Sequence, residues 1–119
     1  MRITFCGTDA QLEIETSPSG ASVILSTDTT AVERRWGRPL APLKRFLRDI
    51  EKLRHSKRRR VRFDLEDDSL SVRVERSFDR MITVGGEIRD VGAVTVAISF
   101  IFESDSINLV GTSGVGPGT

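Results

Sequence analysis

The stretch Leu43-Lys44-Arg45-Phe46-Leu47-Arg48-Asp49-Ile50-Glu51-Lys52-Leu53 decides the fold. Leu43, Phe46, Leu47, Ile50 and Leu53 recur at helical spacing and cover one face of a single amphipathic helix. Pro42 disfavours a helical Ala41 and suits the first helical position, where its missing N–H costs nothing. At about 100° per residue, Arg54 and Lys57 would turn onto the apolar face if the helix ran on, so it should end near residues 53–55. Opposite the apolar face, Lys44, Arg45, Arg48 and Lys52 form a cationic strip with Asp49 and Glu51 at its margins.

On both sides of this helix the apolar period changes to two, the signature of strands. Leu12 and Ile14 alternate with Glu13 and Glu15, and the loop Ser17-Pro18-Ser19-Gly20 returns the chain through Val23 and Leu25. That loop sets Ile14 opposite Val23 and Leu12 opposite Leu25, so one face is apolar on both strands. A second hairpin pairs Leu65 with Leu70, Phe63 with Val72 and Val61 with Val74 around Asp67-Asp68. In the third, the loop Asp90-Val91-Gly92 sets Ile82, Val84, Gly86 and Ile88 against Phe100, Ile98, Val96 and Val94. Gly92 there fills a left-handed turn position. The second face of the returning strand, Ala93, Thr95, Ala97, Ser99 and Ile101, is small and mildly polar, which predicts a central strand. Short strands are expected near residues 2–6 and 107–110, and residues 34–38 read as a loop before the helix.

These elements predict an α+β fold in the order β-β-β-α-β-β-β-β. A curled antiparallel sheet of roughly six to eight strands carries the leucine face of the helix. Residues 1–110 form the domain and the glycine-rich residues 111–119 a flexible tail. A chain of 119 residues can bury roughly two thirds of its unfolded surface in one core. No apolar run reaches the ~18 residues of a membrane span, and no signal-peptide pattern opens the sequence. The lone Cys6 favours a reducing compartment, so the expected location is cytoplasmic.

The residue inventory argues against an enzyme. One histidine, His55, one cysteine, Cys6, and no tyrosine leave few groups for nucleophilic or acid–base work. Two soft ligands fall short of the roughly four a zinc site needs. Glu66-Asp67-Asp68 lacks the alternating ligands of a calcium loop and reads as a solvated turn. Gly85-Gly86 inside a strand marks a bulge or a close backbone approach. No catalytic residue, metal or cofactor is therefore expected.

Charge is the more informative signal. Thirteen of the eighteen Lys and Arg residues lie between Glu33 and Arg62 against three acids, a net charge of +10 in a chain whose total is +1. Such segregation bears on partners through the summed surface field. Two candidate sites follow. The first, a partner-binding surface, comprises Arg34, Arg35, Trp36, Arg38, Lys44, Arg45, Arg48 and Lys52, because tryptophan and arginine are enriched at interface hot spots. Trp36 is expected to close one end of the core with its indole edge exposed. The second is the basic run Lys57, Arg58, Arg59, Arg60 and Arg62, an alternative nucleic-acid site.

The order of elements, with a tryptophan before the helix pattern Leu40-x-x-Leu43-x-x-Phe46-Leu47-x-x-Ile50-x-x-Leu53 and the strands that follow, resembles the WapI-type immunity proteins and related small bacterial proteins. That resemblance implies a non-enzymatic partner that binds and neutralises a toxin. The expected function is thus a small binding protein that engages an acidic protein surface through its basic flank. The alternatives are nucleic-acid binding and homo-oligomerisation, in which the basic flank of one copy meets the acidic 63–119 region of another. No membrane role is expected.

Overall fold

A computed structural model describes residues 1–40, 43–55, 59–65, 69–77, 81–90 and 96–110. The expected turn at 66–68, the loop at 91–92, Pro42, Lys57, Arg58 and the tail 111–119 lie outside the described residues. In chain order the elements are β1 (Arg2–Cys6), β2 (Ala10–Ser17), β3 (Gly20–Thr27), β4 (Ala31–Trp36), α1 (Leu43–His55), β5 (Arg60–Asp64), β6 (Leu70–Arg76), β7 (Ile82–Asp90), β8 (Val96–Ser104) and β9 (Ser106–Val110). The fold is α+β, with one helix and nine strands among the described residues. The strands form two antiparallel sheets, ordered β4-β3-β2-β1-β9 and β5-β6-β7-β8.

Alternation explains why each sheet has one dry face. Ile3 and Phe5 lie in register with Ile14 and Leu12, which in turn meet Val23 and Leu25. In the second sheet Val61 meets Val74, which in turn meets Val84, and Phe63 meets Val72. These residues are buried and share a single core with the apolar face of α1. Phe46 joins the layers. Its ring centroid lies 6.3 Å from that of Phe5 in one sheet and 5.2 Å from that of Phe63 in the other, edge-on to the latter. A helix of thirteen residues is marginal alone, so α1 owes its stability to this docking. Leu43, Phe46, Leu47, Ile50 and Leu53 are all buried, each contributing about 1.5–3 kcal/mol of transfer free energy.

The first two hairpins have the expected registers. The third is shifted by four residues: Ile82 faces Ser104, Val84 faces Phe102, Gly86 faces Phe100 and Ile88 faces Ile98. An even shift keeps every side chain on its expected face. The observed register also sets a large ring, Phe100, beside Gly86, which lacks a side chain. A Cβ on Gly86 would collide with the Ser71 carbonyl, so the pair Gly85-Gly86 marks a close backbone approach. Register runs unbroken through both glycines, without a bulge.

Three further expectations are corrected. Residues 31–36 are a strand, β4, rather than a loop. Glu33, Arg34 and Arg35 hid an alternation in which Val32, Arg34 and Trp36 share the phase of the buried Leu25 and Val23. An inward-phase charge is tolerable because β4 is an edge strand, where it also discourages pairing with another chain. Conversely, β8 is an edge strand rather than a central one, and Ala97, Ser99 and Ile101 are exposed. Against the expectation that residues 2–6 form an edge strand, Cys6 belongs to β1, which lies between β2 and β9. The passage from β8 to β9 crosses between sheets, and the Cys6 carbonyl fixes it by accepting from Asp105 N at 2.6 Å and Ser104 Oγ at 3.1 Å. No helix among the described residues is long and apolar enough to cross a membrane.

If Phe46 joins the layers, Phe46→Ala lowers the free energy of unfolding by about 3–5 kcal/mol. Arg45→Ala, one position away on the wet face, stays within about 0.5 kcal/mol. Urea titrations followed by circular dichroism measure both, and similar losses in the two variants would contradict the packing described.

Candidate functional site

Docking α1 through one face leaves its opposite face in water. Lys44, Arg45, Arg48, Glu51 and Lys52 are exposed along it, and Asp49 is half-buried. Lys44, Arg45 and Arg48 enter no ion pair among the described residues, whereas Asp49, Glu51 and Lys52 are engaged within the chain. The strip is therefore partly uncompensated.

Beside it runs β5, the edge of its sheet. Alternation sends Val61 and Phe63 into the core and leaves Arg60, Arg62 and Asp64 exposed. A groove of about 370 Å³ lies between the two elements, lined by Arg45, Phe46 and Asp49 from α1 and by Arg60, Arg62, Phe63 and Asp64 from β5. Arg45 from the first expected set thus shares one groove with Arg60 and Arg62 from the second. Arg62 is bound to Asp64 at 2.6 Å and Arg60 to Glu75 at 3.5 Å. Arg59 is exposed and engaged within the fold.

The other residues of the first set sit apart from this groove. Arg35 pairs with Glu33 at 2.9 Å, Arg38 is engaged within the chain, and the Arg34 guanidinium lies 5.4 Å from the Trp36 ring centroid. Trp36 corrects the expectation of an exposed indole edge. It is only 8% exposed, and its indole N–H donates to the buried Ser69 Oγ at 3.0 Å. An indole N–H taken from water needs a partner, and the serine satisfies it inside the core. Trp36 therefore presents little surface to a partner.

Aromatic rings matter for the nucleic-acid alternative, since single strands are held by stacking. Phe5, Phe46, Phe63 and Trp36 are buried, and Phe100 and Phe102 pack against the core, so no exposed ring occurs among the described residues. Asp49 and Asp64 in the groove would also repel phosphate. No group of His, Cys, Asp or Glu suited to a metal ion occurs among the described residues.

The outer face of the second sheet carries features that sequence reasoning missed. Arg62, Arg73, Gly85 and Ile101 form one cross-strand row over β5, β6, β7 and β8. A shallow hollow of about 490 Å³ lies there, bordered by Arg62, Ser71, Arg73, Glu87, Ser99 and Ile101. The available signal was Ile101, an apolar residue in the polar phase of its strand. Neither a family model, nor a curated protein, nor a solved structure matches this chain.

The Trp36–Ser69 hydrogen bond is directly testable because the chain has a single tryptophan. Ser69→Ala strands a buried N–H and lowers stability by about 1–3 kcal/mol. Denaturation followed by indole fluorescence reads it, and an unchanged midpoint would mean the bond contributes nothing.

Proposed function

We propose that the protein is a non-enzymatic binding module that engages an acidic protein surface through the outer face of α1 and the groove between α1 and β5. The observation that carries this reading is the trio Lys44, Arg45 and Arg48, unpaired among the described residues, on a helix held from behind by the core. Cations on a fixed backbone lose no backbone freedom when a carboxylate arrives, and they steer it from a distance. The groove adds Arg60 and Arg62 beside Asp49 and Asp64. A mixed-sign lining suits a protein surface, which can match both signs, better than a uniformly anionic nucleic acid. In the specific form implied by the resemblance to WapI-type immunity proteins, the partner is a toxin met in the cytoplasm and neutralised by occupation. Homo-oligomerisation through the acidic half of a second copy would use the same strip.

The test is affinity capture with the full chain and with Arg45→Glu/Arg48→Glu, whose circular dichroism should match that of the wild type. An acidic partner retained at about 50 mM salt should be lost at least tenfold in the variant and released as screening rises. Equal retention by the variant would refute the proposal. Tight, salt-dependent binding of oligonucleotides by the wild type would favour the nucleic-acid alternative instead.

A further inference from the structure

The row Arg62–Arg73–Gly85–Ile101 contains two features that the fold alone does not require. Arg62 and Arg73 are direct cross-strand neighbours, an arrangement of like charges that weakens a sheet. Arg62 is neutralised by Asp64 at 2.6 Å, and Asp64 also accepts from Ser71 Oγ at 2.7 Å. Across the hollow Glu87 is bound by Arg89 at 3.2 Å and by Ser99 Oγ at 3.4 Å. Arg73 has no such partner. It is exposed and, alone among the charged residues bordering the hollow, enters no ion pair or hydrogen bond among the described residues.

Two strands away, Ile101 is 75% exposed, the most exposed large apolar side chain among the described residues. Gly85 stands between them in the register and contributes no side chain to fill the gap. With strands about 4.8 Å apart, Arg73 and Ile101 are separated by about 10 Å at the backbone, and the arginine side chain can span part of that. Residues i and i+2 of an extended chain point the same way about 7 Å apart, which matches the remaining distance.

We propose that this hollow is a second recognition seat for the partner. It takes an extended acidic segment, with a carboxylate on the Arg73 guanidinium and an apolar side chain, two residues along, on Ile101. The inference rests on the reading of an acidic protein partner and names the kind of segment that partner presents. A planar guanidinium without an internal acceptor binds a carboxylate in bidentate fashion, and the incoming charge also relieves the Arg62–Arg73 juxtaposition. The hollow falls within the size range of pockets that hold small ligands and peptide side chains. Arg62 borders both the hollow and the α1–β5 groove, so one partner surface can reach both.

The experiment is an amide chemical-shift titration of the isotope-labelled full chain. The probe is the peptide acetyl-Glu-Ser-Leu-Ser-Glu-amide, with acetyl-Gln-Ser-Leu-Ser-Gln-amide and sodium acetate as controls. In the wild type the acidic peptide should shift Ser71, Arg73, Gly85, Glu87, Ser99 and Ile101, and Arg73→Gln and Ile101→Ser should each weaken that response about tenfold. Arg45→Glu/Arg48→Glu should leave it in place. Shifts confined to α1 and β5 would overturn the inference while sparing the acidic-partner reading. An equal response to the glutamine peptide or to acetate alone would also overturn it, as would no response at millimolar peptide. The capture experiment decides the broader reading independently of these outcomes.

Discussion

Everything in this molecule depends on the contact of Phe46 with Phe5 on one side and Phe63 on the other. Two antiparallel sheets, each dry on one face, must bury those faces against something. The apolar side of α1 supplies a shared third surface, and its residues belong to the same core as both sheets. Once that face is committed, the helix has no rotational freedom left. Its remaining side chains are set in direction by 3.6-residue geometry, and the cations at positions 44, 45 and 48 are left exposed. The same constraint that builds the core therefore also exposes the charge.

The neighbouring strand is bound by the same logic. β5 follows the helix in the chain and packs beside it, with Val61 and Phe63 buried in the shared core. Period-two alternation then forces Arg60, Arg62 and Asp64 outward. Helix period and strand period, running one after the other through a single basic segment, bring residues fifteen or more positions apart to one groove. Arg45 of one basic motif and Arg60 and Arg62 of the other thus share one surface in space.

How far the sequence could be read follows from which forces act locally. The helix and the registers of the first two hairpins were legible because periodicity and a short turn determine them. The class of fold was legible too. β4 was not, since its alternation runs through Glu33, Arg34 and Arg35, and a charge on the core side of a strand defeats a hydrophobicity pattern. The register of the third hairpin depended on where a large ring finds room beside Gly86, which is a tertiary fact. The expected exposure of the Trp36 indole edge failed for a similar reason. Its burial is permitted by Ser69, thirty-three positions away, and no spacing rule connects the two. The groove and the hollow belong to the same category, because both arise where separate elements meet.

Charge compensation separates the parts of this surface that serve the fold from those left for something else. On the outer face of the first sheet Arg2 lies near Glu13 and Glu15, and Arg35 near Glu33. On the second sheet Arg60, Arg62 and Arg89 each have a carboxylate within 3.5 Å. Exposed pairs of this kind add at most about 1 kcal/mol apiece, but they cancel the local field. A chain with seventeen acids and eighteen bases has enough of each to cancel nearly everywhere. Among the described residues it does not do so at Lys44, Arg45, Arg48 and Arg73. Uncancelled cations near neighbours of the same sign cost stability, and nothing in the core, the helix or either sheet requires them. In the function proposed above, a carboxylate of another protein supplies the missing counter-charge, and the mixed-sign surroundings, with no exposed ring among the described residues, suit it better than a phosphate chain.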